Sequence, residues 1–150
     1  MWRWALLSIF VVLAGLAFLY RTSQSLLDTV TFGGVSLTLD YATTSSARER
    51  GLGGRTNVPD DYGLLFVFAS SSRYGFWMKD MQAPIDIFWL DSAGRVLSIE
   101  RNVAPSTYPN VFYPPVPVHY VLETKAGFAS AHNIATGTPL RLRKFPNVLP

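Results

Sequence analysis

The pattern of apolar positions changes character once along the chain. Residues 5–20 (ALLSIFVVLAGLAFLY) are apolar except for Ser8, with Trp2 and Trp4 ahead of them and Tyr20 and Arg21 at their end. Beyond this run the period becomes two. Val30 and Phe32, then Val35, Leu37, Leu39 and Tyr41, alternate on either side of Gly33-Gly34, which predicts a β-hairpin. Ser46 and Glu49 stand at capping-box spacing, so a short helix is expected to start at Ser46 and to end at Gly51, Gly53 and Gly54. Residues 64–69 (LLFVFA) are continuous and β-prone, as in a strand buried on both faces, and three serines then read as a loop. Residues 76–81 (FWMKDM) and 85–90 (IDIFWL) predict two strands parted by Pro84, because proline cannot donate to a ladder. A turn at residues 91–94 leads to a strand at 95–101. Residues 118–125 predict another strand, 126–133 a short helix ended by Asn133, and 140–143 a last strand.

Short strands and hairpins dominate, so the expected class is mainly β: a small β-sandwich, jelly-roll-like or barrel domain with one or two short helices, preceded by an N-terminal apolar helix. The expected organisation is a membrane anchor or signal segment at 1–21, a connector and first strand at 22–34, and the β domain at 35–150. Residues 102–117 hold Pro105, Pro109, Pro114, Pro115 and Pro117, half of the chain's 10 prolines, with Tyr108, Phe112 and Tyr113 among them. A loop of that length in a small domain is a functional segment or a packed flap.

At 150 residues the chain has the size of one domain, and 49% hydrophobic against 15% charged residues excludes a disordered chain. Absence of cysteine excludes disulfides, thiolate zinc sites, iron–sulfur clusters and cysteine nucleophiles. The net charge is +3, but Arg3 and Arg21 bracket the apolar run, and residues 22–150 carry only +1, eleven cations against ten anions. Arg141, Arg143 and Lys144 form the one basic cluster, too small for a nucleic-acid footprint, so no nucleic-acid partner is expected. The apolar run reaches seventeen residues with Trp4, the lower limit of about 17 for a spanning helix. Its flanking aromatics favour a retained anchor, with the membrane engaged through residues 4–20. The expected address is a single-pass membrane protein with a cytoplasmic N-terminus and a C-terminal domain exported to the periplasmic or extracellular side. Gly15-Leu16-Ala17 offers the alternative of signal cleavage and secretion.

No nucleophile elbow, P-loop, His-Glu-x-x-His or dinucleotide fingerprint occurs. The Gly51-Leu52-Gly53-Gly54 turn lacks the strand before and the long helix after that a phosphate cradle needs, and reads as a flexible helix exit. His119 and His132 are too few and too unpatterned for zinc, and Met78 and Met81 fall on opposite faces of a strand, so neither a metal nor a cofactor is expected. The chemistry that remains lies in charges set among apolar residues. Lys79 and Asp80 follow Trp77, Asp86 alternates with Ile85 and Ile87, Glu123 closes Tyr120-Val121-Leu122, and Arg50 and Arg55 flank the glycine turn. Such groups are either paired with one another, fixing strand register, or poised for a ligand. The candidate ligand-binding set is Arg50, Arg55, Trp77, Lys79, Asp80, Asp86 and Glu123.

Several segments fall in register with a known family. Residues 47–52 (ARERGL), 63–68 (GLLFVF), 76–79 (FWMK), 84–87 (PIDI) through Asp91 and Gly94, and 120–123 (YVLE) with Gly127 and Gly137 resemble domain-of-unknown-function family 192, also called uncharacterised protein family 0127. The resemblance covers about residues 35–143. It implies a mainly β fold of the sandwich or jelly-roll kind behind an export signal or anchor, with recurring polar residues at Arg50, Arg55, Lys79, Asp86 and Glu123 and with Trp77 beside them. It implies no established reaction. The chain departs from the family pattern at Asp80-Met81, where Asn-Thr is usual, and at Gly53, where methionine is usual. The functional expectation is a membrane-tethered exported domain that binds a small polar ligand or an envelope protein. One alternative is a hydrolase or lyase with Asp86 or Glu123 as general base and Lys79 or Arg50 stabilising an anion. The other is a structural or assembly protein that binds through the flap at 105–117.

Overall fold

The structure, a computed structural model, describes residues 28–146. The expected anchor at 1–21 and the connector up to residue 27 lie outside the described residues, and among those described no helix is long and apolar enough to cross a membrane.

Among the described residues nine strands and two short α-helices follow in the order β1 (Asp28–Phe32), β2 (Val35–Ala42), α1 (Ser45–Arg50), β3 (Tyr62–Ser72), β4 (Phe76–Trp77), β5 (Ile85–Leu90), β6 (Val96–Val103), β7 (Val111–Phe112), β8 (Val118–Lys125), α2 (Phe128–Ala131) and β9 (Leu140–Arg141), with one 3-10 turn at Pro105–Thr107 between β6 and β7. Seven of the strands form one sheet in the order β6-β5-β8-β3-β2-β1-β9, and β4 and β7 pair separately as a ribbon. Only β2 and β3 run parallel; the remaining neighbours are antiparallel. The first hairpin turns through Gly33 and Gly34 at φ +60° and +87°, the positive values its tight two-residue turn requires.

The sheet curls into a half-barrel because its two edges are tied together. Val96 N–H donates to Thr138 O, Gly137 N–H to Val96 O and Leu140 N–H to Gly94 O at 2.8–3.0 Å, which joins the start of β6 to the entry of β9. Side chains from all seven strands consequently meet in one cluster, among them Phe32, Leu37, Leu65, Phe88, Val96, Leu122 and Leu140, with Phe128 of α2 filling the interior. Phe32 stands edge-on to Phe88 at 5.1 Å and stacks with Phe128 at 6.0 Å. The opposite face of the central strands, with Leu64, Phe66, Ile85, Ile87, Trp89 and Val121, is covered by Leu52, Phe76 and Met78 from the segments after α1 and around β4. Both faces of β3, β5 and β8 are therefore buried, which explains their continuous apolar runs.

The mainly β expectation holds, and several boundaries move. The helix starts one residue before Ser46, and its cap is Thr44, whose Oγ1 accepts from Ala47 N–H at 3.1 Å. β3 continues through the serines expected to form a loop, across a register shift between Val67 and Ser72. The strand expected over 76–81 ends at Trp77, because Asp80 takes φ +58° and Met81 N–H turns back to Met78 O. The proline-rich loop supplies that strand's partner: Phe76 faces Phe112, and Trp77 faces Val111.

Candidate functional site

Register decides where the two strand acids point. Asp86 on β5 lies opposite Thr124 on β8, whereas Glu123 lies opposite Ile87. Asp86 and Glu123 therefore face opposite sides of the sheet. Asp86 is fully buried and satisfied by backbone: Asn102 N–H donates to it at 2.8 Å, Gly127 N–H at 3.2 Å and Ala129 N–H at 2.8 Å. It pins the first turn of α2 to the end of β6. The expectation that it shares a cluster with Glu123 is corrected by this geometry.

Glu123 faces the side covered by the glycine turn. Its neighbours across the ladder are Leu64 and Ile87, and Phe66 lies beside it. Gly51 closes α1 at φ +52°, and a Cβ there would stand 3.3 Å from both Glu123 Oε2 and the Phe66 ring. The turn read from sequence as a flexible helix exit thus admits the acid and brings the Leu52 backbone up to donate to it. Glu123 is only 4% exposed, and its Oε2 is buried without a hydrogen-bond partner. No cation among the described residues comes within ion-pair distance of it. Burial pushes its pKa from the ordinary 4.5 up to about 8, with the Leu52 bond working weakly in the other direction. At neutral pH the side chain is a carboxylic acid rather than a carboxylate.

Above Glu123 lies a narrow cleft of about 40 Å³, bordered by α1, its glycine exit, β4 and Lys79. Such a volume admits a water molecule or one small polar group. Of the cations around it, Arg48 is committed to the fold: its Nη1 donates to Thr43 O at 2.7 Å and Val67 O at 3.0 Å, and its guanidinium lies over Phe68. Arg50 and Lys79 are exposed and make no ion pair or side-chain hydrogen bond among the described residues. Trp77 completes the rim with its ring 43% exposed.

Of the seven residues expected from sequence, Arg50, Trp77, Lys79 and Glu123 come together here, and three do not. Arg55 lies over the Tyr62 ring and reaches Asp40 at 3.8 Å; Tyr62 Oη donates to the same Asp40 carboxylate at 2.8 Å. Asp80 turns the backbone so that its carbonyl accepts from Gly54 N–H, and it does not line the cleft. Asp86 is on the far face. Sequence reasoning missed Gly51 and the Leu52 N–H as parts of the site; the signal available was a glycine placed directly after Arg50. The register-fixing charge network is likewise reduced to separate pairs, Arg55 with Asp40 and an exposed Lys125 with Asp60 at 2.6 Å.

Two larger depressions, about 390 Å³ beside Asp60, Lys125 and His132 and about 370 Å³ beside Leu142 and Arg143, hold no unpartnered buried polar atom. No cluster of metal-binding side chains occurs among the described residues. The large apolar side chains most exposed there are Trp77, Tyr108, Val111, Tyr113 and Val116, all on the β4–β7 ribbon and its loop.

The family model described as DUF192, Uncharacterized ACR, matches residues 28–142. No curated protein matches the chain. Among solved structures, a Sinorhizobium meliloti 1021 protein described as a proposed transcription regulator is similar at 29% identity and a TM-score of 0.70. That match covers 75% of this chain and 89% of the other. A protein of unknown function from Novosphingobium aromaticivorans DSM 12444 is similar at 28% identity and a TM-score of 0.70, over 76% of this chain and 82% of its own.

Proposed function

The chain belongs to domain-of-unknown-function family 192, and from that premise we propose that it is a binding domain for a small polar ligand, held in the cleft over Glu123. In this reading the domain is tethered to a membrane by residues 4–20 and faces the exported side. One observation carries the ligand site: a buried acid with an unpartnered oxygen in a cleft whose rim holds two cations, Arg50 and Lys79, that make no ion pair among the described residues. A buried polar atom without a partner costs on the order of 1–3 kcal/mol, a cost the fold could avoid with an apolar residue of similar shape. A polar guest would satisfy that atom. The test is an NMR titration of the full-length chain in non-ionic detergent with small polyols, carboxylates and phosphate. Resonance shifts are expected to centre on Gly51, Trp77, Lys79 and Glu123. Shifts confined to the flap at 105–117, or none at all, would remove this reading.

A second reading is favoured by the raised pKa of Glu123, which makes it a proton donor near neutral pH. An enzyme built on this site would use Glu123 as general acid, with Arg50 or Lys79 holding a developing anion. It would not use Asp86, whose oxygens are occupied by three backbone donors on the other face.

A further inference from the structure

Building on the ligand-site reading above, we infer that the cleft is a carboxylate-binding subsite, in which Glu123 donates its O–H to the ligand's carboxylate while Arg50 and Lys79 supply the positive charge.

The inference starts from what surrounds the acid. Glu123 has Leu64, Phe66 and Ile87 beside it and no cation within ion-pair reach among the described residues, so a charge there would be buried and uncompensated. A neutral carboxyl carries one donor, and the Leu52 N–H serves its acceptor side. The need left over is an acceptor for the O–H. The described residues supply none: Oε2 is without a partner among them, and the other acid on the rim, Glu49, is exposed on α1.

The rim then decides the charge of the guest. Arg50 and Lys79 border the cleft and make no ion pair among the described residues, Glu49 beside them included, and one donor with two such cations is complementary to an acceptor that is itself anionic. The volume limits the size. About 40 Å³ admits a head group of a few atoms, and the remainder of a larger ligand would lie outside against the exposed face of Trp77. A carboxylate can accept from Glu123 with one oxygen and from the guanidinium or ammonium with the other.

The elements packed against Glu123 contribute few titratable or charged groups. From β3 and β5 come only Leu64, Phe66 and Ile87; from α1 come Arg48, Glu49 and Arg50; from β4 and the turn after it comes Lys79. Among them Glu123 is the one that burial moves into the range between pH 6 and 9.

The test titrates the full-length chain in non-ionic detergent with acetate, inorganic phosphate and glycerol at pH 6.5 and pH 9, followed by NMR. Acetate is expected to shift Gly51 and Trp77 at pH 6.5. With Glu123 titrating at about 8, its dissociation constant should rise about tenfold at pH 9, as the donor becomes a like charge. Glu123→Gln keeps a donor that cannot ionise, so its acetate affinity should be equal at the two pH values. Lys79→Gln should weaken acetate at both. The inference is overturned if wild-type affinity is the same at pH 6.5 and 9, if Glu123→Gln retains the pH dependence, or if phosphate occupies the cleft and acetate does not. Occupancy by glycerol alone would overturn the carboxylate assignment and leave the small-ligand reading standing; no occupancy by any of the three would overturn both.

Discussion

Replacing Glu123 with glutamine should make the protein more stable near neutral pH, by an amount that the burial of this acid determines. In the unfolded chain the carboxyl returns to its ordinary value of 4.5, whereas in the fold it titrates at about 8. A raised folded pKa means that the native state binds the proton more tightly than the unfolded state, so the contribution of Glu123 is fully present below about pH 4.5 and is lost as pH rises through 8. Each pH unit across that window removes about 1.4 kcal/mol, which comes to about 3 kcal/mol at pH 7 and about 5 kcal/mol above pH 8. Glutamine fills nearly the same volume, can accept from the Leu52 N–H and cannot ionise. Urea unfolding of both full-length proteins at half-unit steps from pH 4 to 9 measures the effect directly. The stability of the variant relative to wild type should climb steadily from about pH 4.5 and level off above about pH 8. A difference that stays flat with pH would refute the neutral buried acid, and a difference that falls would mean that Glu123 is an ion paired in the fold.

Other substitutions separate the groups that hold the fold from those that border the cleft. Asp86→Ala strands three backbone donors, those of Asn102, Gly127 and Ala129, and should lower stability by about 3–5 kcal/mol in urea unfolding; an unchanged midpoint would free Asp86 for another role. Arg55→Ala removes a 3.8 Å pair whose members are 44% and 36% exposed, so the loss should stay below about 1 kcal/mol by the same assay, and a larger one would show that packing on Tyr62 dominates. Trp77→Ala takes away a side chain that is 43% exposed and so more than half covered; the loss should be about 1–3 kcal/mol in urea unfolding while ligand affinity falls. Loss of stability without loss of affinity would reassign Trp77 to the ribbon's packing with Val111.

How far the fold was legible depended on whether its cause was local. The strand at 85–90 was read to its ends because six consecutive apolar or enclosed residues fall between Pro84 and the Asp91 turn, and each is buried. The first hairpin was read because two glycines satisfy one turn by themselves. Helix α1 was displaced because Thr43, Thr44, Ser45 and Ser46 are four successive residues able to cap, and what selects Thr44 is where β2 releases the chain after Ala42. The 76–81 segment was read too long for a different reason. Its partner, Val111–Phe112, is two residues inside a proline-rich loop, and nothing near Trp77 announces a pairing that distant in sequence.

The site depended on register, which alternation alone does not reveal. Asp86 and Glu123 look alike in sequence: each is an acid flanked by apolar residues in a strand. A one-residue offset across the β5–β8 ladder sends one inward, where a helix begins, and the other outward, where a glycine turn ends. Three backbone N–H groups await Asp86, and one awaits Glu123. The different fates of the two acids follow from that count of donors. Asp86 is complete within the chain and therefore belongs to the fold. Among the described residues Glu123 is left with an oxygen that nothing serves, in a cleft bordered by two cations that make no ion pair, and two further donors from the turn would have given it the three that complete Asp86.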